Sequence, residues 1–137
     1  MVSYFKEKGN WTVEELLKKL RYKQGRALVL NAPEGFSLGI EEDTLPEGTY
    51  EFVLLFVLNS EDVKKSFAAT IPFLKEDALF WVTYPKKSSK IKTDINRDVL
   101  WKLVQEDSPY RPVSNVAVDD TWSALRFRHN DKVKTKK

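Results

Sequence analysis

Apolar residues occur along this chain in two rhythms. Arg26–Asn31 (RALVLN), Tyr50–Leu58 (YEFVLLFVL) and Ala78–Tyr84 (ALFWVTY) are short, nearly continuous apolar runs bounded by turn residues. Runs of that length without polar alternation predict strands buried on both faces, as in a parallel sheet. Elsewhere apolar residues recur at helical spacing. Leu16, Leu17 and Leu20 predict a helix over 13–20. Val63, Phe67, Ile71 and Leu74 predict a second from Ser60, and Ile95, Val99, Leu100, Leu103 and Val104 a third over 95–106.

The boundaries carry their own signals. Thr12 and Glu15 fit a capping box, with Trp11 and Leu16 in the staple positions. Ser60 is the expected cap of the second helix, with Glu61 and Asp62 in the first turn. Pro72 removes an intrahelical bond and should kink or break its last turn. Thr93 or Asp94 is the expected cap of the third. Pro33, Gly35, Gly39, Pro46 and Gly48 mark residues 32–48 as loop. Pro109 and Pro112 mark a linker, after which Ser114–Val118 and Ser123–His129 read as the arms of a hairpin turning at 119–122. In the second arm Leu125 and Phe127 alternate with Arg126 and Arg128, which predicts one core face and one polar face.

Strands alternating with helices, closed by a hairpin, predict an α/β fold. The expected architecture is a single domain over residues 1–130: a three-layer Rossmann-like sandwich with a mainly parallel sheet and a C-terminal antiparallel hairpin strand. Residues 131–137 read as a basic, disordered tail.

Composition narrows the chemistry. The chain has no cysteine, which excludes disulfides, thiolate nucleophiles and Cys-based zinc or iron–sulfur sites. Its one histidine, His129, leaves little room for a His-based metal site or a Ser-His-Asp triad. No metal is expected. No apolar run approaches the ~18 residues of a membrane span, and residues 1–11 lack the apolar core of a signal peptide. The expectation is a cytoplasmic protein without a membrane partner. The formal charge is +3, and the tail alone supplies it through Lys132, Lys134, Lys136 and Lys137 against Asp131. The folded body is therefore neutral on balance, nucleic acid is not an expected partner, and any basic surface must be local.

One such surface stands out. Between Tyr84 and Arg97, Lys86, Lys87, Lys90, Lys92 and Arg97 face a single acid, Asp94, with Ser88, Ser89 and Thr93 interleaved. A strand runs into this loop and the loop into a helix start, whose free N–H groups and dipole favour an anion. Lys86, Lys87, Ser88, Ser89, Lys90 and Arg97 are the candidate ligands of a phosphate or carboxylate. The loop has no glycine and is not a P-loop. Asn31, Asp119, Asp120, Trp122 and Arg126 are candidates for the pocket rim, since a parallel sheet brings their turns to the same end. Asp119 and Asp120 equally fit plain turn chemistry, and Trp122 a place in the core.

Three stretches, LVLNAPEGF (28–36), LFWVTYPKKSSKIKTDINRDVLW (79–101) and VAVDDTWSALRFR (116–128), together resemble a family of small bacterial proteins defined only as a domain of unknown function. The resemblance implies a Rossmann-like fold and no particular activity. A weaker likeness is to the C-terminal half of Rossmann-like methyltransferases, where a helix and an antiparallel hairpin also close the sheet. The chain departs from those enzymes twice. The turn Asn31-Ala-Pro-Glu-Gly35 has no G-x-G, and Val57-Leu58-Asn59 stands where an acid ends the following strand. No cofactor is expected. The functional expectation is a non-catalytic binding or regulatory module for an anionic ligand. The alternatives are a reduced S-adenosylmethionine-dependent, methyltransferase-like enzyme and a protein–protein interaction module.

Overall fold

The protein is seen in a computed structural model that describes residues 13–23, 25–33, 36, 38, 40, 42–86, 91–119 and 121–129. Trp11, Thr12, Lys87, Ser88, Ser89, Lys90, Asp120 and the tail 131–137 lie outside the described residues. The elements are α1 (Val13–Lys19), β1 (Ala27–Leu30), β2 (Tyr50–Phe56), α2 (Ser60–Thr70), a 3-10 turn (Ile71–Phe73), β3 (Leu74–Pro85), α3 (Arg97–Asp107), β4 (Tyr110–Ala117) and β5 (Trp122–His129). They form an α/β fold around one open five-stranded sheet of order β1-β2-β3-β5-β4.

β1, β2 and β3 are parallel, whereas β5 runs antiparallel to both β3 and β4. The sheet is therefore mixed, a parallel part β1-β2-β3 joined by the antiparallel hairpin strand β5, as expected, to β4. What differs is 110–113, which the prolines mark as linker but which begins β4. β4 is an edge strand, where a proline can leave its missing N–H on the open side. A register irregularity between Pro112 and Ser114 absorbs the misfit.

Side chains alternate across the sheet and divide the core into two clusters. Leu28, Val53, Leu55, Phe80 and Val82 pack with Val63 and Phe67 of α2 and Leu100 and Val104 of α3. Ala27, Val29, Phe52, Leu54, Phe56 and Trp81 pack with Leu16 and Leu20 of α1, and with Phe36, Trp122 and Ala124. Both faces of β2 are thus buried from Phe52 on, which is why Phe52–Phe56 reads as an unbroken apolar run. Residues 71–74 leave the helix at Pro72 as a 3-10 turn, and Leu74 already belongs to β3.

Two segments depart from regular backbone. α1 ends on Arg21 in the left-handed region (φ 67), with Tyr22 N–H donating to the Leu17 carbonyl and Arg21 N–H to that of Lys18. This is the helix stop usually built on glycine. The Trp81 indole N–H donates to the Leu20 carbonyl at 3.0 Å and pins this helix end to the sheet. Gly25 (φ +105) then turns the chain into β1, and a Cβ there would stand 1.4 Å from Glu51 Oε1. The second departure is in β3, where Leu74 faces Tyr50 but Leu79 faces Phe52. The extra residues form a bulge in which Asp77 is left-handed (φ 55).

Candidate functional site

The three parallel strands end together at Leu30, Phe56 and Pro85, and those predicted site residues that are described lie near this edge with one exception. Asn31 follows β1 in the left-handed conformation (φ 61) and is exposed. Lys86 follows β3, and its N–H donates to the Thr121 carbonyl at 2.7 Å, tying the basic loop to the β4–β5 turn. In that turn the Asp119 carboxylate accepts from the N–H groups of Thr121 (2.8 Å) and Trp122 (2.9 Å). Asp119 is therefore engaged in turn chemistry.

The connection after β1, the end of β2 and the start of β5 converge on aromatic rings. Phe36 meets Phe56 edge-to-face at 4.9 Å between centroids, and Phe56 meets Trp122 at 5.1 Å. Trp122 is 4% exposed, so it closes the core beneath the turns and offers no open stacking face.

Helix starts at the same end are occupied by the chain's own side chains. α3 begins at Arg97, later than Thr93 or Asp94 as caps would place it, because Asn96 is the cap and accepts from Val99 N–H at 2.9 Å. Thr93 Oγ1 accepts from Ile95 N–H at 3.1 Å. Asp94 is drawn to the other helix: its carboxylate accepts from Ser60 N–H at 2.8 Å and from the Ser60 hydroxyl. Those two bonds hold the Asp94 carboxyl below its ordinary value. Ser60 is the first residue of α2, not its cap, which is Asn59, accepting from Asp62 N–H at 2.9 Å.

Beside these caps a cavity of about 450 Å³ is lined by Lys86, Ile91, Lys92, Thr93, Asp94, Ile95 and Asn96. A neighbouring hollow of about 290 Å³ takes in Tyr84, Asn96, Arg97, Asp98 and Asn115. There the Tyr84 hydroxyl donates to Asn115 Oδ1 at 3.0 Å, and burial pushes its phenol pKa up. Arg97 is exposed, with Asp98 3.4 Å from its Nε.

Arg126 is the exception. Trp122 pairs with Pro85, but Arg126 pairs with Trp81. Four residues of strand separate the two, roughly 13 Å. Arg126 borders a cavity of about 350 Å³ at the amino end of β3, shared with Arg21, Lys23, Glu51, Glu76, Asp77, Ala78 and Leu79. Its Nε is buried and has no hydrogen-bond partner. Burial, followed by the charge of Arg128, lowers its pKa. Arg128 itself is engaged, with a two-pronged bond to Asp77 at 2.9 and 2.6 Å. Arg21, Lys23 and Asp77 carry no sequence signal of a site. Only the end of α1 and the bulge of β3 bring them to Arg126.

Among the described residues no group of three or more His, Cys, Asp or Glu side chains could hold a metal ion. No described helix is long and apolar enough to cross a membrane. Comparison with protein-family models, curated proteins and solved structures yields no match.

Proposed function

We propose that this protein is a non-catalytic binding or regulatory module, acting in the cytoplasm on a small phosphate- or carboxylate-bearing ligand. The observation that carries the reading is the cavity of about 450 Å³ between Lys86 and Asn96. It opens at the carboxyl end of β3, where open α/β sheets hold their ligands. Lys86 and Lys92 supply cations, while Thr93 and Asn96 add polar groups. The Asp94 charge in its wall is already met by Ser60 and the α2 N-terminus. The intervening sequence, Lys87, Ser88, Ser89 and Lys90, joins two residues that both line the cavity and adds two more cations.

The three-layer Rossmann-like description and the kinship to small bacterial proteins belong to this proposal. Helices packed on both sheet faces support the first of these. The methyltransferase-like alternative is weaker. The parallel part runs β1-β2-β3 without reversing, and a dinucleotide-type crevice forms where strand order reverses. An interaction module draws less support, because among the described residues the large exposed apolar ones, Leu45, Leu58, Trp101 and Val113, come from four different segments.

Thermal-shift titration with inorganic phosphate and citrate at low salt tests the reading. A ligand bound only by the folded state raises the melting temperature with concentration. The rise should shrink with added salt and in the double variant Lys86→Ala/Lys92→Ala. A flat melting temperature with both anions rejects the proposal.

A further inference from the structure

The cavity at the amino end of β3 combines features not required by the sheet. Arg126 lies on β5 between Trp81 of β3 and Ser114 of β4. A central strand is an unusual place for an arginine, and its Nε is buried without a partner. Two neighbouring hydroxyls on the same sheet face share that condition. Ser114 stands directly opposite, and Thr83, fully buried, is two residues along β3 from Trp81 and pairs with Ala124. The buried Oγ of Ser114 and Oγ1 of Thr83 also lack hydrogen-bond partners. Of the three, Arg126 borders the cavity, and its guanidinium presents the unmet demand for an acceptor there.

Three cations, Arg21, Lys23 and Arg126, and three carboxylates line the cavity, and the carboxylates are the ones that have partners. Its acids are committed elsewhere: Asp77 to the fork of Arg128, Glu51 toward Lys75 at 3.7 Å, and Glu76 to a partner of its own. Among the described residues no carboxylate is in salt-bridge contact with Arg21, Lys23 or Arg126, all three of which line the cavity, and the Asp77 charge acts on Arg126 only at longer range. The two left-handed residues, Arg21 and Asp77, set this geometry. One aims the end of α1 at the cavity, and the other turns the bulge so that Arg128 is neutralised beside Arg126.

We propose that this cavity is an oxyanion-binding site, separate from the loop cavity at the other end of the sheet. Arg126 is its anchor, Arg21 and Lys23 form its mouth, and its ligand is a small molecule bearing a carboxylate or phosphate. A guanidinium held by strand packing offers a preset fork to two oxygens of such a group. The surrounding cations favour its negative charge.

The test follows the Arg126 Nε–H resonance of the isotope-labelled full chain at low ionic strength. Inorganic phosphate and succinate serve as the two probes. A saturable shift is expected, and the tighter probe identifies the headgroup class. Arg126→Gln should weaken binding by about tenfold, the loss of a charged hydrogen bond. Arg21→Gln, at an exposed position, should weaken it by about threefold. The variant Lys86→Ala/Lys92→Ala should leave the Arg126 shift unchanged, so this site and the loop cavity fail independently. A resonance unmoved by either probe overturns the proposal, as does binding that persists undiminished in folded Arg126→Gln. If Arg126→Gln does not fold, Arg21→Gln decides: unchanged affinity there rejects the site.

Discussion

The Asp94 carboxylate reaches Ser60 across 34 residues of sequence and fastens the approach of α3 to the start of α2. Bonds from Ser60 are the leading reason its carboxyl sits below the ordinary 3.8. A carboxyl depressed in the folded state contributes its stability in full above the unfolded pKa. It loses that contribution as pH falls through the folded one. Asp94→Asn should therefore lower the urea midpoint near neutral pH, and the gap from wild type should close as pH drops below 3.8. A gap constant across that range would assign the loss to something other than charge. Arg21 poses the opposite case. Holding a non-glycine residue left-handed costs about 1–2 kcal/mol, against about 0.5–1 kcal/mol of extra chain entropy lost by glycine. Arg21→Gly should stabilise the fold by up to about 1 kcal/mol in urea unfolding while removing a cation from the Arg126 cavity. A less stable variant would show that Arg21 holds the fold through its side chain.

At the scale of elements, α2 is held by one ring more than by its length. Phe67 lies 5.1 Å from Phe80, 5.4 Å from Phe127 and 5.8 Å from Tyr110 between centroids, joining α2 to β3, β5 and β4. Phe67→Ala should cost about 3–5 kcal/mol, read as a lower urea midpoint with unchanged slope. A loss under about 1 kcal/mol would mean that the neighbours close over the gap. Phe67 and its helix were legible in the sequence because amphipathic spacing reports burial directly. So was β2, whose apolar run reflects burial on both faces. β4 was legible from Ser114 on, as a hairpin arm, but its first residues were not, since a proline forbids a central strand but not an edge, and edge position is a property of the whole sheet. The start of α3 was ambiguous for a similar reason. Thr93, Asp94 and Asn96 can each cap a helix, and the choice follows from Ser60 recruiting Asp94. Arg126 was misplaced by the alternation rule. The rule gives the side chain its face but does not show that β3 and β4 flank it, nor that the turns gather around Trp122 four residues away.

The whole molecule presents two polar ends to a neutral body. The carboxyl end is stitched by Asn59, Asp94, Asn96 and Asp119, and the amino end holds Arg126 between committed acids. Between them the sheet is completed by β5, the last element in sequence, lying between β3 and β4. That order has a consequence for synthesis. A nascent chain that has reached Thr121 has every element of the sheet except the strand that joins its two parts. Until Trp122–His129 follows, β3 is a raw edge of unpaired backbone beside Trp81, and β4 has nothing to lie against. Before β5 exists, only the β1-β2-β3 part of the sheet can pair as it does in the finished fold. Translation that stalls near residue 121 leaves on the ribosome a template for strand exchange between neighbouring chains.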